Sequence, residues 1–508
     1  MLGEESDVKA TEADSGDGEV VKFKKFSRLA KGKQRRRKQS SDEDDEAGSD
    51  DEDDTQIVHT TRNKRRNPMI QSTNARGVYH GFLSRIDAEV MLTRPGDFLL
   101  RRSSRGPADA TVMVLSVRCF RQVAKGRSSS EAAAGPLRHY RILRYPSNGQ
   151  VTLDGRHMFE DVPELLHFYF RSKRTPLPVF KSRKAEGAAQ QQQQPGFLAL
   201  FLARPIGQQH WELDPQRVTK EPKIGEGAFH SVHLGLLAGA GGQRAVALKV
   251  ASFKMTSSRQ RELFLQEARI LRHLSHHRNV IRCLGVVLCA PRELQIVLEL
   301  AEGGCLLPRL QQQPTNGLSD ANKLRFALDI ARGLAHVHVC NVLHLDLACR
   351  NCLLKRVGKE PVVVACISDF GLSRWGPEYI AKDGDAFSVK WTAPELYLES
   401  ASGPVGQRGT SKSDIWSYGV CLWEILSDGA VPYPEVPTNA ETMLEIYLTV
   451  DGKRLPMRTD LWPPELCELM LSTWQLEPEM RPSAEGLVYA LETYSDIVAE
   501  RPPGLIKR

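Results

Sequence analysis

Two short motifs identify the fold of this chain: His344-Leu345-Asp346-Leu347-Ala348-Cys349-Arg350-Asn351 and, further along, Asp369-Phe370-Gly371. They supply two carboxylates and one amide from neighbouring loops. The apolar run Val362–Ile367 predicts a short buried strand that ends just before Asp369, and ligand-binding groups collect beyond such strand ends. Either short motif alone is frequent by chance. Found together, in this order and with a predicted strand between them, they predict a ligand-binding site and not two unrelated turns.

The two loops resemble the catalytic loop and the metal-binding loop of protein kinases. The resemblance implies that Asp346 takes or orients the proton of a substrate hydroxyl, with Arg350 beside it in the catalytic loop. It also implies that Asn351 and Asp369 hold Mg²⁺, a hard cation that prefers oxygen ligands and bridges the phosphates of ATP. The expected cofactors are therefore ATP and Mg²⁺.

The same loop resembles that of tyrosine kinases in particular. Serine/threonine kinases usually carry a lysine two residues after the catalytic aspartate, whereas this chain has Ala348 and then Arg350. The segment Lys390–Glu395 also resembles the tyrosine-kinase version of the end of the activation loop. The expected phosphate acceptor is therefore a protein tyrosine.

A glycine-rich stretch from Ile224 to Val232 resembles the loop that covers ATP. Glycine is needed where backbone approaches phosphate closely, and His230 occupies the place of the third glycine, which predicts an altered nucleotide affinity. The strand Gln295–Leu300 resembles the segment that leads to the adenine-binding hinge. The expected ATP-binding residues are Ile224, Gly225, Gly227, Val232, Ala247, Lys249, Leu298, Glu299 and Leu300.

Lys249 and Glu267 are both placed among apolar residues. Lys249 lies inside the apolar run Val246–Val250, and Glu267 falls within the apolar face of the following predicted helix. A carboxylate in such a stripe needs a cation. The kinase resemblance implies that Lys249 pairs with Glu267 and touches the ATP phosphates, so both join the expected catalytic set.

A second unit begins at Tyr79 and resembles a Src-homology-2 (SH2) domain. Phe98-Leu99-Leu100-Arg101 is an apolar strand ending in a guanidinium, and such a buried charge needs an anionic partner. A planar guanidinium can grip two phosphate oxygens. By resemblance, the phosphotyrosine pocket comprises Arg85, Arg101, Ser103, Ser104, His139 and Arg141. Val78 departs from the family, which usually has tryptophan there.

Leu345 replaces the arginine that pairs with a phosphorylated activation loop in most tyrosine kinases. Tyr379 lies between Asp369 and Glu395 and is the expected autophosphorylation site. Without that arginine the phosphate loses one counter-charge, so we expect a weaker dependence on loop phosphorylation. By resemblance, Arg481 pairs with Glu395 in the helical lobe.

Composition and charge set the remaining expectations. The chain has 508 residues, of which 41% are hydrophobic and 26% charged, as in soluble globular proteins. No apolar run approaches the roughly 20 residues of a membrane span. The N-terminal tail carries a basic run, Lys22–Lys38, and an acidic run, Asp42–Asp54. Because the charges of these two runs nearly cancel, the net charge of +7 does not predict nucleic-acid binding.

The basic run leaves the location partly open. It is typical of a nuclear-localisation signal, of a peripheral contact with anionic membrane, or of a solvated tail whose charges neutralise each other. The first 20 residues lack the apolar core of a signal peptide, so we expect a cytoplasmic protein. The cysteine pair Cys349 and Cys352 has no second pair, which disfavours zinc. We expect two reduced cysteines that flank catalytic residues, with oxidation of this pair as the alternative hypothesis.

The predicted fold class is α+β: an SH2 domain followed by a bilobal protein-kinase domain, with a disordered tail. The expected boundaries are 1–75 for the tail, 79–180 for the SH2 domain, 181–210 for a linker and 212–500 for the kinase domain. The combination looks most like the Fes/Fer family of cytoplasmic tyrosine kinases. The expected function is ATP-dependent tyrosine phosphorylation, directed by the SH2 domain to phosphotyrosine partners. The alternative is a catalytically impaired SH2 adaptor.

Overall fold

The computed structural model describes residues 77–104, 111–120, 134–171, 202–227, 230–251, 258–274, 276–288, 293–312, 318–358, 362–381, 387–396, 408–437, 443, 446 and 454–500. The expectations for the N-terminal tail and for residues 181–201 of the linker lie outside these residues. Among the described residues, no helix has the length and apolar character needed to span a membrane.

The SH2-like unit is a small antiparallel sheet with one helix on each face. Its elements are α1 (Arg85–Met91), β1 (Asp97–Ser104), β2 (Thr111–Phe120), β3 (Ala134–Arg141), the short β4 (Leu143–Arg144) and β5 (Val151–Thr152), and α2 (Val162–Arg171). Side chains alternate between the faces of a strand. Leu99 of β1 packs in one core cluster with the α1 side, and its neighbours Phe98 and Leu100 pack in another with α2.

Local signals explain how this unit begins. Ser84 is the N-cap of α1, where its hydroxyl accepts a hydrogen bond from the backbone N–H of Asp87 at 3.0 Å. Val78 is buried in the core, and its carbonyl accepts from the N–H of Leu100 at 2.9 Å. The aliphatic residue therefore fills the position that tryptophan usually occupies.

The segment before the second unit returns along the first sheet. β6 (Arg204–Pro205) pairs in parallel with β1 and completes a sheet of order β3-β2-β1-β6. Arg204 Nε donates to Asp97 Oδ1 at 2.7 Å. Residues 202–210, the part of the expected linker that the structure describes, therefore pack along the SH2-like unit.

The small lobe of the kinase-like unit is a five-stranded antiparallel sheet with one helix. A short 3₁₀ turn (Pro215–Arg217) leads into β7 (Val218–Glu226), β8 (His230–Gly239), β9 (Gly242–Ala251), α3 (Ser258–Leu274), β10 (Cys283–Val287) and β11 (Gln295–Glu299). The strand order is β10-β11-β9-β8-β7. α3 carries Glu267 on its buried side, as the apolar stripe predicts.

The large lobe is mainly helical. Its described elements are β12 (Gly304–Cys305), α4 (Leu306–Leu310), α5 (Asp320–Val339), β13 (Val342–Leu343), a 3₁₀ turn (Cys349–Asn351), β14 (Cys352–Val357), β15 (Val362–Ile367), β16 (Arg374–Trp375), β17 (Glu378–Ile380), a 3₁₀ turn (Pro394–Leu396), β18 (Arg408–Thr410), α6 (Ser411–Leu426), α7 (Pro464–Thr473), a 3₁₀ turn (Pro478–Met480) and α8 (Ala484–Glu500). β14 and β15 form a hairpin, so the loops before β14 and after β15 meet at one end. The helical lobe contains the expected ion pair, with Arg481 Nη1 donating to Glu395 Oε1 at 2.7 Å and Nη2 to Oε2 at 2.9 Å.

The SH2-like unit and the small lobe share one hydrophobic core. Leu83, Ala88 and Leu92, at and beside α1, belong to the same buried cluster as Phe264 and Leu265 of α3. In addition, the backbone N–H of Phe82 donates to the carbonyl of Leu288 at 3.1 Å. α1 therefore packs against the helix that carries Glu267.

Candidate active site

Lys249, Glu267 and Asp369 meet between the two lobes. Lys249 Nζ donates to Glu267 Oε1 at 2.5 Å and to Asp369 Oδ1 at 2.9 Å. Lys249 is 5% exposed and Glu267 3% exposed. β9, α3 and the loop after β15 thus each contribute one charge to a single cluster.

Lys249 and Asp369 hold each other in the ionised form, whereas burial raises the pKa of Glu267. Burial alone would lower the pKa of Lys249, but the carboxylates of Glu267 and Asp369 raise it. Burial alone would raise the pKa of Asp369, but the Lys249 ammonium lowers it to about 2. Asp369 therefore presents a carboxylate at neutral pH, the form that binds a metal ion.

A buried carboxylate on α6 holds the backbone of the catalytic loop in place. Asp414 Oδ2 accepts from the N–H of His344 and Oδ1 from the N–H of Leu345, both at 2.8 Å. Leu345 has φ = 62°, a left-handed conformation that is costly for a residue with a side chain. The two hydrogen bonds to Asp414 hold the loop in this conformation and thereby present Asp346.

Asp346 is surrounded by hydrogen-bond donors. Its Oδ1 accepts from Arg350 Nη2 at 2.8 Å and from the Ser388 hydroxyl at 2.6 Å, and its Oδ2 accepts from Asn351 Nδ2 at 2.8 Å. Arg350 and Asn351 were expected beside Asp346 from the sequence. Ser388 was not, because it lies 42 residues further along the chain and no spacing rule connects the two.

The candidate metal ligands suit a hard divalent cation. Asn351 uses its amide NH₂ to bind the carboxylate and the carbonyl of Asp346. The remaining atom of that amide, Oδ1, is an oxygen donor, as is the ionised carboxylate of Asp369. Oxygen donors of this kind fit Mg²⁺ better than they fit softer metals.

Strand register brings the candidate ATP-binding residues onto one face of the small lobe. Val232 lies opposite Lys249, and Ala247 lies opposite Leu298. Because Ala247 and Lys249 are two residues apart, all four side chains point to the same face. Gly225 pairs with Val232. All nine candidates except Lys249 are half-buried, as expected for the wall of an open cleft, namely Ile224, Gly225, Gly227, Val232, Ala247, Leu298, Glu299 and Leu300.

His230 and Gly227 are in close contact at the tip of the glycine-rich loop. A Cβ atom placed on Gly227 would lie 2.4 Å from Cε1 of the His230 ring. Burial, and then the charge of Lys249, lower the pKa of His230 to about 4. The side chain that replaces the third glycine is therefore a neutral imidazole packed against the loop, and the loop tolerates it because residue 227 lacks a side chain.

The SH2-like unit contains a cavity of about 560 Å³ around Arg101. Arg101 is 6% exposed, and its Nε donates to the Ser116 hydroxyl at 3.1 Å. The Ser116 hydroxyl also forms a hydrogen bond with His139 Nδ1 at 2.9 Å. No sequence pattern had indicated this serine. His139 Nε2 is buried and makes no hydrogen bond to any described atom. A buried polar nitrogen beside a guanidinium is suited to an anionic ligand.

Most of the expected phosphotyrosine-binding residues line this cavity. Arg85, Ser103 and Arg141 do so together with Arg101 and His139. The side chain of Ser104 lies outside the described part of the chain. One wall of the cavity is formed by residues of α3 in the small lobe, which the sequence did not predict, namely Arg261, Glu262 and Leu265.

Tyr379 lies on β17, which pairs with β18. It packs against a small apolar cluster formed by Leu343, Leu345 and Leu396. The Arg374 guanidinium lies 4.9 Å from the centre of the Tyr379 ring. Leu345 thus forms apolar contacts beneath the activation segment, where most tyrosine kinases place an arginine.

Comparison with known proteins agrees with both units. Residues 78–169 match the SH2 domain family, and residues 218–491 match the family described as protein tyrosine and serine/threonine kinase. The chain is 30% identical to Fer-related kinase 1 of Caenorhabditis elegans, over 80% of this chain and 91% of that protein. It is 31% identical to human tyrosine-protein kinase TXK, over 81% of this chain and 70% of that protein. Mouse tyrosine-protein kinase Fer is 30% identical over 80% of this chain and 42% of its own length.

The fold and the site define a protein kinase with an attached SH2 domain. The chain belongs to the SH2-containing protein tyrosine kinases, within the protein tyrosine and serine/threonine kinase family. The predicted fold class and the predicted resemblance to Fer are confirmed. The prediction of a phosphotransferase that uses ATP and a divalent metal is confirmed at the level of the family.

Proposed function

We propose that this chain is a non-receptor tyrosine kinase in which Asp346 orients the tyrosine hydroxyl of a protein substrate for attack on the γ-phosphate of ATP. The observation that carries the proposal is the cluster in which Lys249 binds both Glu267 and Asp369. This arrangement supports catalysis because phosphoryl transfer depends on positioning and charge neutralisation more than on covalent chemistry.

Asp346 acts on the acceptor hydroxyl. Its carboxylate is oriented by Arg350 and Asn351, and the Ser388 hydroxyl shares the oxygen that faces Arg350. A carboxylate held in this way can accept the hydroxyl proton as the bond to phosphorus forms. Arg350 contributes a fixed positive charge beside the developing negative charge.

Lys249 positions the nucleotide phosphates. Its ammonium is held by Glu267, whose place on α3 makes the position of the lysine depend on the position of that helix. Asn351 and Asp369 are the residues that would hold Mg²⁺. When bound there, the ion neutralises phosphate charge and orients the γ-phosphate. The eight half-buried candidate residues of the small lobe, the first of which is Ile224 and the last Leu300, would enclose the adenine and ribose.

The preference for tyrosine rests on the catalytic-loop residues Ala348 and Arg350, which resemble those of tyrosine kinases. The location also follows from resemblance: the Fes/Fer kinases are cytoplasmic, and we propose the same for this chain. Fractionation of cells that express the full chain would test the location.

The SH2 domain would direct the kinase to phosphotyrosine-containing proteins. Arg101 supplies a buried guanidinium, and His139 supplies a buried ring nitrogen beside it, 3.8 Å from Glu89 Oε1. Hydrogen bonds between such groups and a phosphate are worth roughly 1.5–3 kcal/mol each. Arg101→Lys should therefore weaken phosphopeptide binding by about tenfold or more, which titration with a phosphotyrosine peptide would measure.

The basic run Lys22–Lys38 would add a peripheral contact with anionic membrane or support nuclear import. Each basic residue near an anionic surface contributes about 1 kcal/mol. Co-sedimentation of the full chain with phosphatidylserine vesicles, against a chain with the run neutralised to glutamine, would test the membrane contact.

The decisive experiment measures phosphate transfer from ATP and Mg²⁺ to a poly-Glu/Tyr peptide by the purified full chain. We expect incorporation on tyrosine, and a loss of about 10²–10⁴ in rate for Asp346→Asn. Incorporation that survives in the variant would come from a contaminant. No incorporation by the wild type, with ATP binding retained, would instead support a catalytically impaired SH2 adaptor.

A further inference from the structure

Two cysteines that lie far apart in the sequence meet beneath the catalytic loop. Cys349 begins the 3₁₀ turn of that loop, and Cys421 lies on α6. Their Sγ atoms are 3.5 Å apart, and both side chains are completely buried. The sequence drew attention to Cys349 and Cys352, which are three residues apart, but gave no indication of Cys421.

The third cysteine, Cys352, also bonds Cys421. Side-chain hydrogen bonds from Cys349 and Cys352 lower the pKa of Cys421. The thiolate is the reactive form of cysteine. We therefore expect Cys421 to react first with an oxidant, and Cys349 Sγ, which lies 3.5 Å from Cys421 Sγ, is placed to react with it in turn.

We propose that Cys349 and Cys421 form an oxidative modification site, at which hydrogen peroxide converts the two thiols into a disulfide. The Cys421 sulfur attacks one oxygen of the peroxide, and the O–O bond breaks. The products are a sulfenic acid on Cys421 and hydroxide, which takes a proton to become water. The Cys349 sulfur then attacks the sulfenic sulfur, and the departing hydroxide is protonated to a second water. Two thiols lose two protons and two electrons, and one peroxide is reduced to two waters.

The disulfide would disturb the catalytic residues next to Cys349. A disulfide bond is about 2.05 Å long, so the two sulfur atoms must approach by well over 1 Å. Arg350 and Asn351 follow Cys349 directly and hold both oxygens of Asp346. Misplacement of a catalytic group by about 1 Å costs on the order of 10²-fold in rate. Oxidation should therefore inactivate the kinase without removing any catalytic side chain.

The end of the activation segment packs beside Cys349 through a shared contact with Glu424. Trp391 Nε1 and the backbone N–H of Cys349 both donate to Glu424 Oε2, at 3.0 Å each. The Arg350 guanidinium stacks over the Trp391 ring at 4.3 Å. Because both thiols are completely buried, peroxide must enter through a local opening of the packing, and we expect movement of Trp391 to provide it.

The test treats the full chain with hydrogen peroxide, blocks the remaining thiols with iodoacetamide, and maps disulfides by mass spectrometry without reduction. We expect a linked peptide pair containing Cys349 and Cys421, lighter by two hydrogens than the two peptides together. Poly-Glu/Tyr phosphorylation should fall by about 10- to 100-fold and return with dithiothreitol. The mass measurement does not depend on kinase activity, so it tests the site even if the proposed function fails.

Matched variants separate this site from other cysteines. Cys349→Ala and Cys421→Ser should each keep their activity after peroxide. Cys352→Ser and Cys305→Ser should still lose it, although both residues lie beside the same loop. A disulfide that maps to Cys349 and Cys352, or equal inactivation of the Cys349→Ala and wild-type chains, would overturn the proposal. If either Cys349→Ala or Cys421→Ser fails to fold, the other variant and the disulfide mapping of the wild type still test the proposal.

Discussion

Arg269 of the kinase helix α3 donates from Nε to Asp87 Oδ2 of the SH2 helix α1 at 3.2 Å. Both side chains are mostly buried. Glu267, which holds Lys249, lies two residues from Arg269 on the same helix. The SH2 domain therefore contacts the helix whose position determines where the ATP-binding lysine lies.

Breaking this ion pair should reduce activity while leaving both domains folded. A hydrogen bond to a charged group is worth about 1.5–3 kcal/mol. We expect Asp87→Ala and Arg269→Ala each to lower phosphorylation of poly-Glu/Tyr several-fold. The double variant should be no worse than the more damaging single variant, because both changes remove the same contact. If the losses of activity in the two single variants instead add up in the double variant, the ion pair does not couple the domains.

Loss of the Tyr379 hydroxyl should have little effect on activity. Tyr379 packs on an apolar cluster that includes Leu345, so the activation segment is held by packing that requires no phosphate. Because Leu345 supplies no counter-charge for a phosphate on Tyr379, we expect Tyr379→Phe to keep its rate within about threefold of the wild type. Mass spectrometry of the wild type after incubation with ATP would establish whether Tyr379 is phosphorylated. A severe loss of activity in the variant would contradict the role assigned to Leu345.

The sequence predicted the residues that act in short local patterns better than those that meet across the fold. Asp346, Arg350 and Asn351 lie within one loop, and Lys249 and Glu267 carry their signal in the apolar residues around them. Ser388, Ser116 and Cys421 carry no such signal, because each reaches its partner only through the packing of distant elements. Arg261 on the wall of the SH2 cavity was missed for the same reason, since it belongs to the other domain.

Acid should destabilise the SH2 domain through His139. Burial, and then the charge of Arg101, lower the pKa of His139 to about 4, from an ordinary value of 6.5. The unfolded chain therefore binds a proton below about pH 6.5 that the folded chain does not bind until about pH 4. The stability that depends on neutral His139 is present above pH 6.5 and is lost as the pH falls towards 4.

The variant His139→Gln isolates this contribution. His230 and His277 also have a pKa lowered to about 4, so they add the same acid sensitivity to both chains. We expect the urea midpoint of the wild type to fall more than that of the variant between pH 7 and pH 5. After allowance for solvent screening, the free energy of unfolding of the wild type should fall by about 1 kcal/mol more than that of the variant over this pH range. Parallel pH profiles would rule out the assignment.

Replacing His230 with glycine should tighten ATP binding. The imidazole packs over Gly227 and lies close enough to Lys249 for that charge to affect its pKa, so it must rearrange when phosphates approach. Rearranging one ordered side chain costs about 0.5–1.5 kcal/mol, or roughly 2- to 10-fold in affinity. We expect His230→Gly to lower the KM for ATP by this factor, with kcat little changed.

Gly227→Ala provides the matched test, because the three atoms nearest to its added methyl group all belong to the His230 ring. In the wild-type background this variant should raise the KM for ATP. In the His230→Gly background the methyl group has room, so the same change should have a much smaller effect. An equal rise in both backgrounds would mean that Gly227 is required for direct approach to phosphate, and that packing of His230 does not determine how this loop binds ATP.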